Sequence, residues 1–274
     1  MFNRLYQYLQ TNEILALEQF GFRKESNIEN AVFALTDYIL TSLNQRQQIG
    51  GIFCNLPKAF DCVNHEILLA KLRHYGICGV VLNWFKTHIS NRKQKVKITS
   101  QNCKQDSSCR WETIKIGVPQ GSILGPLLFT IYVNDFPCGV NQFANPVIYA
   151  DDTSVLVSTK NLDDLKSKVD ATLHHMTDQF SFNGLTSNMD KTNIIKFSSN
   201  HSQNQSHLCD SVNYSIKEVR NTNFLGLELD NHINWKNHGI KILPKLSRFR
   251  YAVRAMYSIS CLNMLKMIYF AYFN

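Results

Sequence analysis

Residues 146–157 read PVIYADDTSVLV. Apolar residues stand on both sides of Asp151 and Asp152, which predicts a hairpin over 146–158 with the two carboxylates at its tip. Adjacent carboxylates on a tight turn can hold a divalent cation, and their oxygen atoms suit Mg²⁺. Aspartates are also common in turns that bind nothing. The hairpin is therefore a candidate metal site, and the rest of the chain has to decide between these two interpretations.

The hydrophobic pattern outside this hairpin predicts helices and strands without a β-α-β rhythm. We predict helices at 3–18, 28–43, 65–74, 80–90, 124–133, 162–180 and 235–256. We predict strands at 52–55, 94–99, 111–116, 191–197 and 224–229. Gly50-Gly51 is predicted to end the second helical unit, and 94–99 is predicted to pair with 111–116. This order of elements predicts an α+β fold with an antiparallel sheet.

Length and composition restrict the class of protein. The chain has 274 residues, of which 44% are hydrophobic, so one or two globular domains with a real core are expected. No apolar stretch approaches the roughly 20 residues of a membrane helix, and the first residues lack the core of a signal peptide. The eight cysteines contain no Cys-x-x-Cys pair, which argues against a zinc ribbon and a disulfide framework. We therefore predict an intracellular protein of the cytoplasm, the nucleus or both, with no membrane contact.

The formal net charge of +8 is concentrated in two places. Residues 231–274 contain no Asp or Glu and seven basic residues, and residues 92–97 form a second acid-free basic run. Two basic patches on a near-neutral body suggest a polyanionic partner, most simply nucleic acid. A solvated, charged face explains the charge equally well. The predicted helix 235–256 is amphipathic, with an inward face formed by Ile242, Leu246, Phe249, Val253 and Met256.

Six segments, taken in order, identify a family. They are Gln19–Arg23, Lys58–His65, Gly117–Pro126, Tyr149–Asp152, Asn183–Thr192 and Phe224–Gly226. In this order they resemble the fingers motif and motifs A, B, C, D and E of the reverse transcriptases of non-LTR retrotransposons, closest to the jockey-like elements of animals. Six segments in one order are far more specific than any one of them.

The resemblance implies a right-hand polymerase fold, with fingers, an antiparallel-sheet palm and a truncated helical thumb. We predict partial fingers at 1–50, a palm at 51–230 with a fingers insertion near 76–116, and the start of a thumb at 231–274. In the family, further fingers segments and an endonuclease domain come before this stretch. The implied partners are an RNA template, a DNA primer and deoxynucleoside triphosphates.

The resemblance also implies a role for each matching residue. Asp151 and Asp152 would ligate two Mg²⁺ ions, with Mn²⁺ as an alternative, and Asp151 would bridge the two ions. Lys191 would stand near the pyrophosphate as a proton donor, and Phe60 would be the steric gate against a ribonucleotide 2′-hydroxyl. The remaining roles are nucleotide or template contacts for Gln120, Gly121 and Arg23, and nucleic-acid backbone contacts for Arg92, Lys93, Lys241, Lys245 and Arg248.

Plainer interpretations of these residues remain open from the sequence. Phe60 is also a good core aromatic, and residues 119–121 also form an ordinary turn. Lys191 could be a surface lysine, and Arg23 could form a structural salt bridge.

Asn55 departs from the family pattern, because the family has its first catalytic aspartate at this position. An amide oxygen can ligate Mg²⁺ but brings no negative charge. Asp61 lies six residues further on, roughly 20 Å away along an extended chain, so it is a poor replacement. We therefore predict an RNA-directed DNA polymerase domain, acting by a two-metal mechanism, that is impaired in this copy by Asn55.

Two alternatives to the polymerase stay open. One is a catalytically dead nucleic-acid-binding remnant of a retroelement, which would bind with a steep salt dependence and without Mg²⁺. The other is a chain that does not fold, which a cooperative thermal transition would exclude.

Overall fold

The protein is built on a five-stranded sheet with helices on both faces. The structure is a computed structural model, and it describes residues 1–98, 107–186, 192–198, 208, 217–257 and 259–273. Its helices are α1 (Phe2–Thr11), α2 (Ile28–Asn44), α3 (His65–His74), α4 (Gly79–Ile89), α5 (Leu124–Tyr132), α6 (Phe136–Val140), α7 (Leu162–Phe182), α8 (Lys236–Tyr257) and α9 (Leu262–Phe273). Its strands are β1 (Gln48–Asn55), β2 (Arg92–Gln94), β3 (Lys97–Ile98), β4 (Ser107–Ser108), β5 (Glu112–Ile114), β6 (Asn145–Tyr149), β7 (Asp152–Thr159), β8 (Asn193–Phe197), β9 (Lys217–Glu218), β10 (Asn221–Phe224) and β11 (Leu227–Asp230). The helices predicted at 28–43 and 65–74 are confirmed, as is the hairpin predicted at 146–158.

Strand β1 lies in the middle of the sheet, whose order is β6-β7-β1-β8-β9. It pairs antiparallel with both β7 and β8, and β6 is antiparallel to β7, whereas the β8–β9 pair at one edge of the sheet is parallel. The antiparallel sheet predicted from the sequence is therefore confirmed. Because β1 pairs with β7 over its full length, its last residue, Asn55, lies opposite Asp152, the first residue of β7.

Alternate residues of β1 face two separate hydrophobic clusters. Ile52 and Cys54 belong to a cluster that includes residues of α1 and of α3 to α7. Ile49 and Phe53 belong to a second cluster, formed with α2 and with the β10–β11 hairpin. This alternation is the period of two expected for a strand buried on both faces. The sheet is thus a middle layer, and its strand ends are held from both sides.

The two glycines lie inside β1, so the prediction that they end a helical unit is wrong. A Cβ atom on Gly50 would lie 3.0 Å from a methyl group of Val169. A Cβ atom on Gly51 would lie 2.9 Å from the rings of both Phe197 and Phe53. Large side chains from the two clusters therefore cover the strand so closely that it has no room for side chains of its own at these positions.

The first helix is shorter than predicted, because α1 ends at Thr11 and not near residue 18. Residues 18–20 instead run beside β6. The backbone N–H of Phe20 donates to the carbonyl of Ile148 at 2.8 Å, and the N–H of Ile148 donates to the carbonyl of Glu18 at 2.9 Å. The hydrogen-bonding capacity at the open edge of the sheet outweighs the helical pattern of the sequence here.

Two strand predictions are also corrected. The strand predicted at 224–229 is a hairpin of β10 and β11, with a turn at Leu225-Gly226 where both residues have positive φ. Of the strand predicted at 94–99, Gln94 belongs to β2, which pairs with β5, and Lys97 and Ile98 form β3, which pairs with β4, while residue 99 lies outside the described residues. The predicted pairing of 94–99 with 111–116 is thus right at Gln94, which lies opposite Glu112.

The predicted burial of the last long helix is wrong. Helix α8 contains no buried residue, and Leu246, predicted to face inward, is 43% exposed. It also contains Pro244, which removes one backbone donor inside the helix. Helix α8 packs against β11 and the unpredicted helix α9.

Candidate active site

The two carboxylates lie on the turn between β6 and β7, at the end of the sheet where β1 also finishes. The turn is tight, because Tyr149 still pairs with Asp152 across it. Ala150 has φ +58°, a left-handed conformation that costs a non-glycine residue roughly 1 kcal/mol. Ala150 is buried, whereas Asp151 and Asp152 are partly exposed. The backbone is thus held by the protein while both carboxylates reach solvent.

Asn55 faces this turn from the neighbouring strand. Its side-chain Nδ2 donates to Oδ1 of Asp152 at 2.8 Å. The next residue, Leu56, donates its backbone N–H to the carbonyl of Asp151 at 3.4 Å. The three side chains expected to act together are therefore adjacent, but Asn55 presents an N–H group to Asp152 where an aspartate would present an oxygen.

The electrostatics of the turn are unfavourable for the ionised form of Asp151. Burial raises the pKa of Asp151 above its ordinary value, and the charge of Asp152 raises it further. A hydrogen bond from the backbone of Asp151 works in the opposite direction. A cation bound at the turn would offset both the burial of the Asp151 carboxylate and its repulsion by Asp152.

The donor set suits a hard divalent cation in part. Asp151 and Asp152 supply carboxylate oxygens, which is the chemistry that Mg²⁺ and Mn²⁺ prefer. Within the described part of the chain, no group of three or more His, Cys, Asp or Glu residues could hold a metal ion. The two carboxylates therefore fit such an ion. The amide of Asn55 stands at the position where the family has a third carboxylate.

Phe60 lies between two other aromatic rings. Its ring stacks on that of Phe129 with centroids 4.4 Å apart, and Phe22 meets it edge-on at 6.1 Å. The carbonyl of Phe60 accepts a hydrogen bond of 2.8 Å from the N–H of Val118. Phe60 is partly buried, and its packing against two rings agrees with the interpretation as a core aromatic.

Gln120 and Gly121 lie on the exposed turn that leads into α5. The Nε2 of Gln120 donates to Oδ1 of Asp61 at 2.8 Å. Gly121 has φ +78°, and a Cβ atom there would meet no atom within 4 Å. Its left-handed backbone, not crowding, is what calls for glycine. The carboxylate of Asp61 is thus engaged by Gln120 in this structure.

Two of the other predicted residues have different outcomes. The guanidinium Nη1 of Arg23 donates to the carbonyl of Ala16 at 2.6 Å, so in this structure the side chain folds back on its own segment. Lys191 lies outside the described residues.

The predicted basic contacts lie on β2 and on α8. Lys93 on β2 and Lys245 and Arg248 on α8 are exposed, and Arg92 is partly exposed. Lys241 forms an ion pair of 3.0 Å with Glu228. The ammonium group of Lys95 lies 5.0 Å from the centre of the Trp111 ring, which is itself 60% exposed. Sequence analysis missed this aromatic group.

Gln19 is the site residue that sequence analysis passed over. It is only 2% exposed, and its Oε1 accepts hydrogen bonds from the backbone N–H groups of Ala150 at 3.1 Å and Gly21 at 2.8 Å. A polar residue inside a family motif was the available signal, but its contact with the turn depends on the pairing of residues 18–20 with β6.

Among the described residues, no helix is long and apolar enough to cross a membrane.

Comparisons with known proteins agree on one family. A sequence model of the reverse transcriptase (RNA-dependent DNA polymerase) family matches residues 1–229. A probable RNA-directed DNA polymerase from transposon BS of Drosophila melanogaster is 30% identical over 169 residues, covering 57% of this chain and 17% of that protein. The RNA-directed DNA polymerase from mobile element jockey of Drosophila funebris is 27% identical over 248 residues, covering 86% of this chain and 25% of that protein. The chain thus spans a quarter or less of the length of these relatives.

Solved structures agree with this result at the level of the fold. Apo telomerase from Candida tropicalis superposes with a TM-score of 0.54 at 12% identity, covering 85% of this chain and 39% of the telomerase. A form of it truncated from the C-terminal domain gives 0.52 at 14% identity, covering 84% of this chain and 42% of that one. This likeness confirms the right-hand polymerase fold, whereas the predicted domain limits remain a prediction.

Proposed function

The chain belongs to the reverse transcriptase family, and from that premise we propose that it is an RNA-directed DNA polymerase domain whose turnover is impaired. The observation that carries the proposal is the register of β1 against β7. It sets Asn55 against Asp152, beside Asp151, at the tip of the β6–β7 hairpin. The polymerase ancestry explains why two carboxylates meet there, and the amide explains why the reaction should be slow.

The proposed reaction is templated nucleotidyl transfer. The 3′-hydroxyl of a DNA primer, paired with an RNA template, attacks the α-phosphate of a deoxynucleoside triphosphate and releases pyrophosphate. The matching family segments and the curated relatives support these substrates.

The proposed metal ligands are Asp151 and Asp152. When bound, Mg²⁺ or Mn²⁺ lowers the pKa of the attacking hydroxyl and neutralises charge on the leaving pyrophosphate. Asp151 and Asp152 supply two negative charges for such a site. Asn55 donates a hydrogen bond to Asp152 and contributes no charge. The family's set of three carboxylates is thereby reduced to two, which weakens the binding of a second ion in particular.

The other proposed roles concern the substrates. Phe60, packed on Phe129, limits the space beside the sugar of the incoming nucleotide, and Gln120 and Gly121 contact the template and nucleotide. Lys191 remains a proposed proton donor, and Arg23 a proposed phosphate contact once its bond to Ala16 is released.

Primer extension on an RNA template tests the proposal directly. We expect the Asn55→Asp variant to be faster than the unaltered chain by roughly two to four orders of magnitude, because a metal-stabilised charge contributes several kcal/mol to the transition state. Asn83→Asp is the matched control, since it makes the same change on the exposed face of α4. Adding Asp152→Asn to Asn55→Asp should abolish the gain. Robust synthesis by the unaltered chain at equal protein concentration, or no gain with Asn55→Asp, would contradict the proposal.

A second candidate function is nucleic-acid binding without catalysis. The exposed basic residues of α8 and the Lys95–Trp111 pair support it, because cations and an accessible aromatic ring together suit a phosphate backbone with unpaired bases. Binding of this kind needs no divalent ion.

Its test is binding of a labelled primer–template in EDTA over a range of salt. We expect the affinity to fall steeply with salt, by the counterion-release slope. Replacing Lys245 and Arg248 by Gln should reduce that slope by about two. Lys168→Gln, an exposed lysine of α7, serves as the control. Affinity that is insensitive to salt, or absent at low salt, would exclude this function.

A further inference from the structure

We infer that Gln19 is a positioning residue, whose buried side-chain oxygen holds the turn that carries Asp151 and Asp152. The inference rests on the proposed function, because it assigns Gln19 to the same metal centre. It concerns a residue that would not contact the metal or the substrates.

Gln19 reaches the turn because its segment pairs with the strand that leads into it. Residues 18–20 extend the sheet by pairing with β6, and Gln19 forms a parallel bridge with Ile148. Ile148 lies two residues before Ala150, so the side chain of Gln19 meets the turn as it leaves the strand. Its Oε1 accepts the N–H of Ala150 at 3.1 Å.

The buried backbone N–H of Ala150 requires a hydrogen-bond acceptor. Its left-handed φ of +58° is unfavourable for alanine, and the residue is only 7% exposed. A buried N–H without an acceptor costs as much as a lost hydrogen bond or more. Oε1 of Gln19 supplies that acceptor and so stabilises the backbone conformation from which Asp151 and Asp152 project.

Of the two polar atoms in the Gln19 side chain, the oxygen forms the hydrogen bonds seen in the described part of the chain. Oε1 accepts from two N–H groups, those of Ala150 and Gly21, and such donors require the oxygen to face them. The Nε2 atom is buried and has no hydrogen-bond partner within the described part of the chain. The contribution of this side chain therefore lies in its two bonds to the backbone, one of them to the turn.

Other contacts also fix the approach of this segment to the turn. A Cβ atom on Gly21 would lie 2.4 Å from the backbone nitrogen of Ala150, so a glycine permits the contact. On the other side, Oδ1 of Asn134 accepts the N–H of Ala16 at 2.8 Å, and Arg23 donates to the carbonyl of Ala16. With its backbone anchored in these ways, the segment does not depend on Gln19 alone for its place.

The test uses Gln19→Met, which keeps the length of the side chain and removes its oxygen. We expect the Ala150 amide to exchange its hydrogen about tenfold faster or more, measured by NMR in the full chain. We also expect about tenfold weaker binding of Mn²⁺, measured by its EPR signal in the Asn55→Asp background, as for other residues that orient metal ligands.

Two more variants separate positioning from general stability. Thr172→Val removes a different buried hydrogen bond, from its hydroxyl to the carbonyl of Lys168, and should lower the melting temperature without changing Ala150 exchange or Mn²⁺ binding. Gly21→Ala pushes the same segment away from the turn and should reproduce both effects of Gln19→Met, which keeps the inference testable if that variant folds poorly.

Asp152→Asn distinguishes failure of this inference from failure of the proposed function. If Mn²⁺ binds equally well without the Asp152 carboxylate, the proposed metal ligands are wrong. The exchange rate of the Ala150 amide then still tests whether Gln19 holds the turn. If Mn²⁺ binding requires Asp152 but neither exchange nor affinity changes in Gln19→Met, the inference on Gln19 is overturned. A Thr172→Val variant that reproduces both effects would overturn it as well.

Discussion

Two places in the protein differ in whether a charged group lies beside a charge of the opposite sign or of the same sign. At the Lys71 cluster (Lys71, Tyr132, Asp135 and Asn183), one ammonium group is surrounded by acceptors. Its Nζ donates to the carbonyl of Tyr132 at 2.5 Å and to the side chains of Asp135 and Asn183 at 2.6 Å each. It also lies 5.0 Å from the centre of the Tyr132 ring.

The carboxylate turn (Asp151 and Asp152) shows the reverse. Two like charges stand side by side, and the Asn55 amide offers one N–H to Asp152. Burial and this repulsion raise the pKa of Asp151, whereas at Lys71 burial lowers the pKa of the ammonium group and Asp135 partly restores it. At the Lys71 cluster, the opposite charge of Asp135 and two neutral acceptors offset part of the cost of burying the cation. The turn has an excess of one sign, which destabilises the fold and suits the binding of a cation.

The largest effect should come from breaking the balanced site. Lys71→Met leaves the Asp135 carboxylate and two further acceptors without their cation, so the free energy of unfolding should fall by about 3 kcal/mol. Because the Asp135 side chain is 44% exposed, water will recover part of this loss. Urea unfolding measures it, with Lys86→Met on the exposed face of α4 as the control. A loss no larger than that of the control would remove the contrast between the two sites.

A smaller effect should follow from adding charge at the unbalanced site. Asn55→Asp replaces a hydrogen-bond donor by a third carboxylate, so in EDTA it should lower the free energy of unfolding by about 1–2 kcal/mol. Mg²⁺ should restore this loss, since an ion that binds only the folded state stabilises it. Thermal melts with and without Mg²⁺ decide the matter, and Asn83→Asp should respond in neither condition. If Asn55→Asp has the same melting temperature as the unaltered chain in EDTA and in Mg²⁺, the third carboxylate neither repels the other two nor helps to bind a cation.

The smallest effect should come from removing charge at the turn. The pKa of Asp151 is raised in the folded state, so its ionisation opposes folding, and stability contributed by the protonated form is lost as the pH rises through that raised pKa. Asp151→Asn should therefore be slightly more stable at neutral pH, by about 0.5 kcal/mol or less because solvent screens a partly exposed carboxylate.

The pH dependence provides the check on this last expectation. Thermal melts from the ordinary Asp pKa of 3.8 upward should show the difference between Asp151→Asn and the unaltered chain growing with pH. Asp178→Asn, an exposed residue of α7, should show no such growth. If Asp151→Asn is less stable than the unaltered chain at neutral pH, ionised Asp151 favours folding, contrary to this expectation.

Local signals explain what could be predicted. Helix α3 begins where predicted because the side chain of Asn64 accepts the N–H groups of Glu66 and Ile67, a bond made within three residues. The β6–β7 hairpin was predictable for the same reason, since its strands are neighbours in the chain. The adjacency of Asn55 and Asp152 came from the family resemblance, and the register of β1 agrees with it.

Contacts between distant segments explain what could not be predicted. Gly50 and Gly51 look like a break until the rings and methyl groups that cover β1 are in place. The segment after α1 has a helical pattern, but an open edge of β6 offers it better hydrogen bonds. Gln19 could be read as a motif residue, yet its bond to Ala150 joins positions 131 residues apart.

The sequence by itself therefore determined the family, the order of most elements and the chemical groups available at the turn, because these depend on residue types and on short-range spacing. The tertiary structure decided how those groups are held. It set the Asn55 amide to donate to Asp152, folded Arg23 onto Ala16, left the long basic helix α8 on the surface and brought Gln19 under the turn. Each of these depends on a sheet register or on packing between segments far apart in the chain, and no local pattern of residues encodes such geometry.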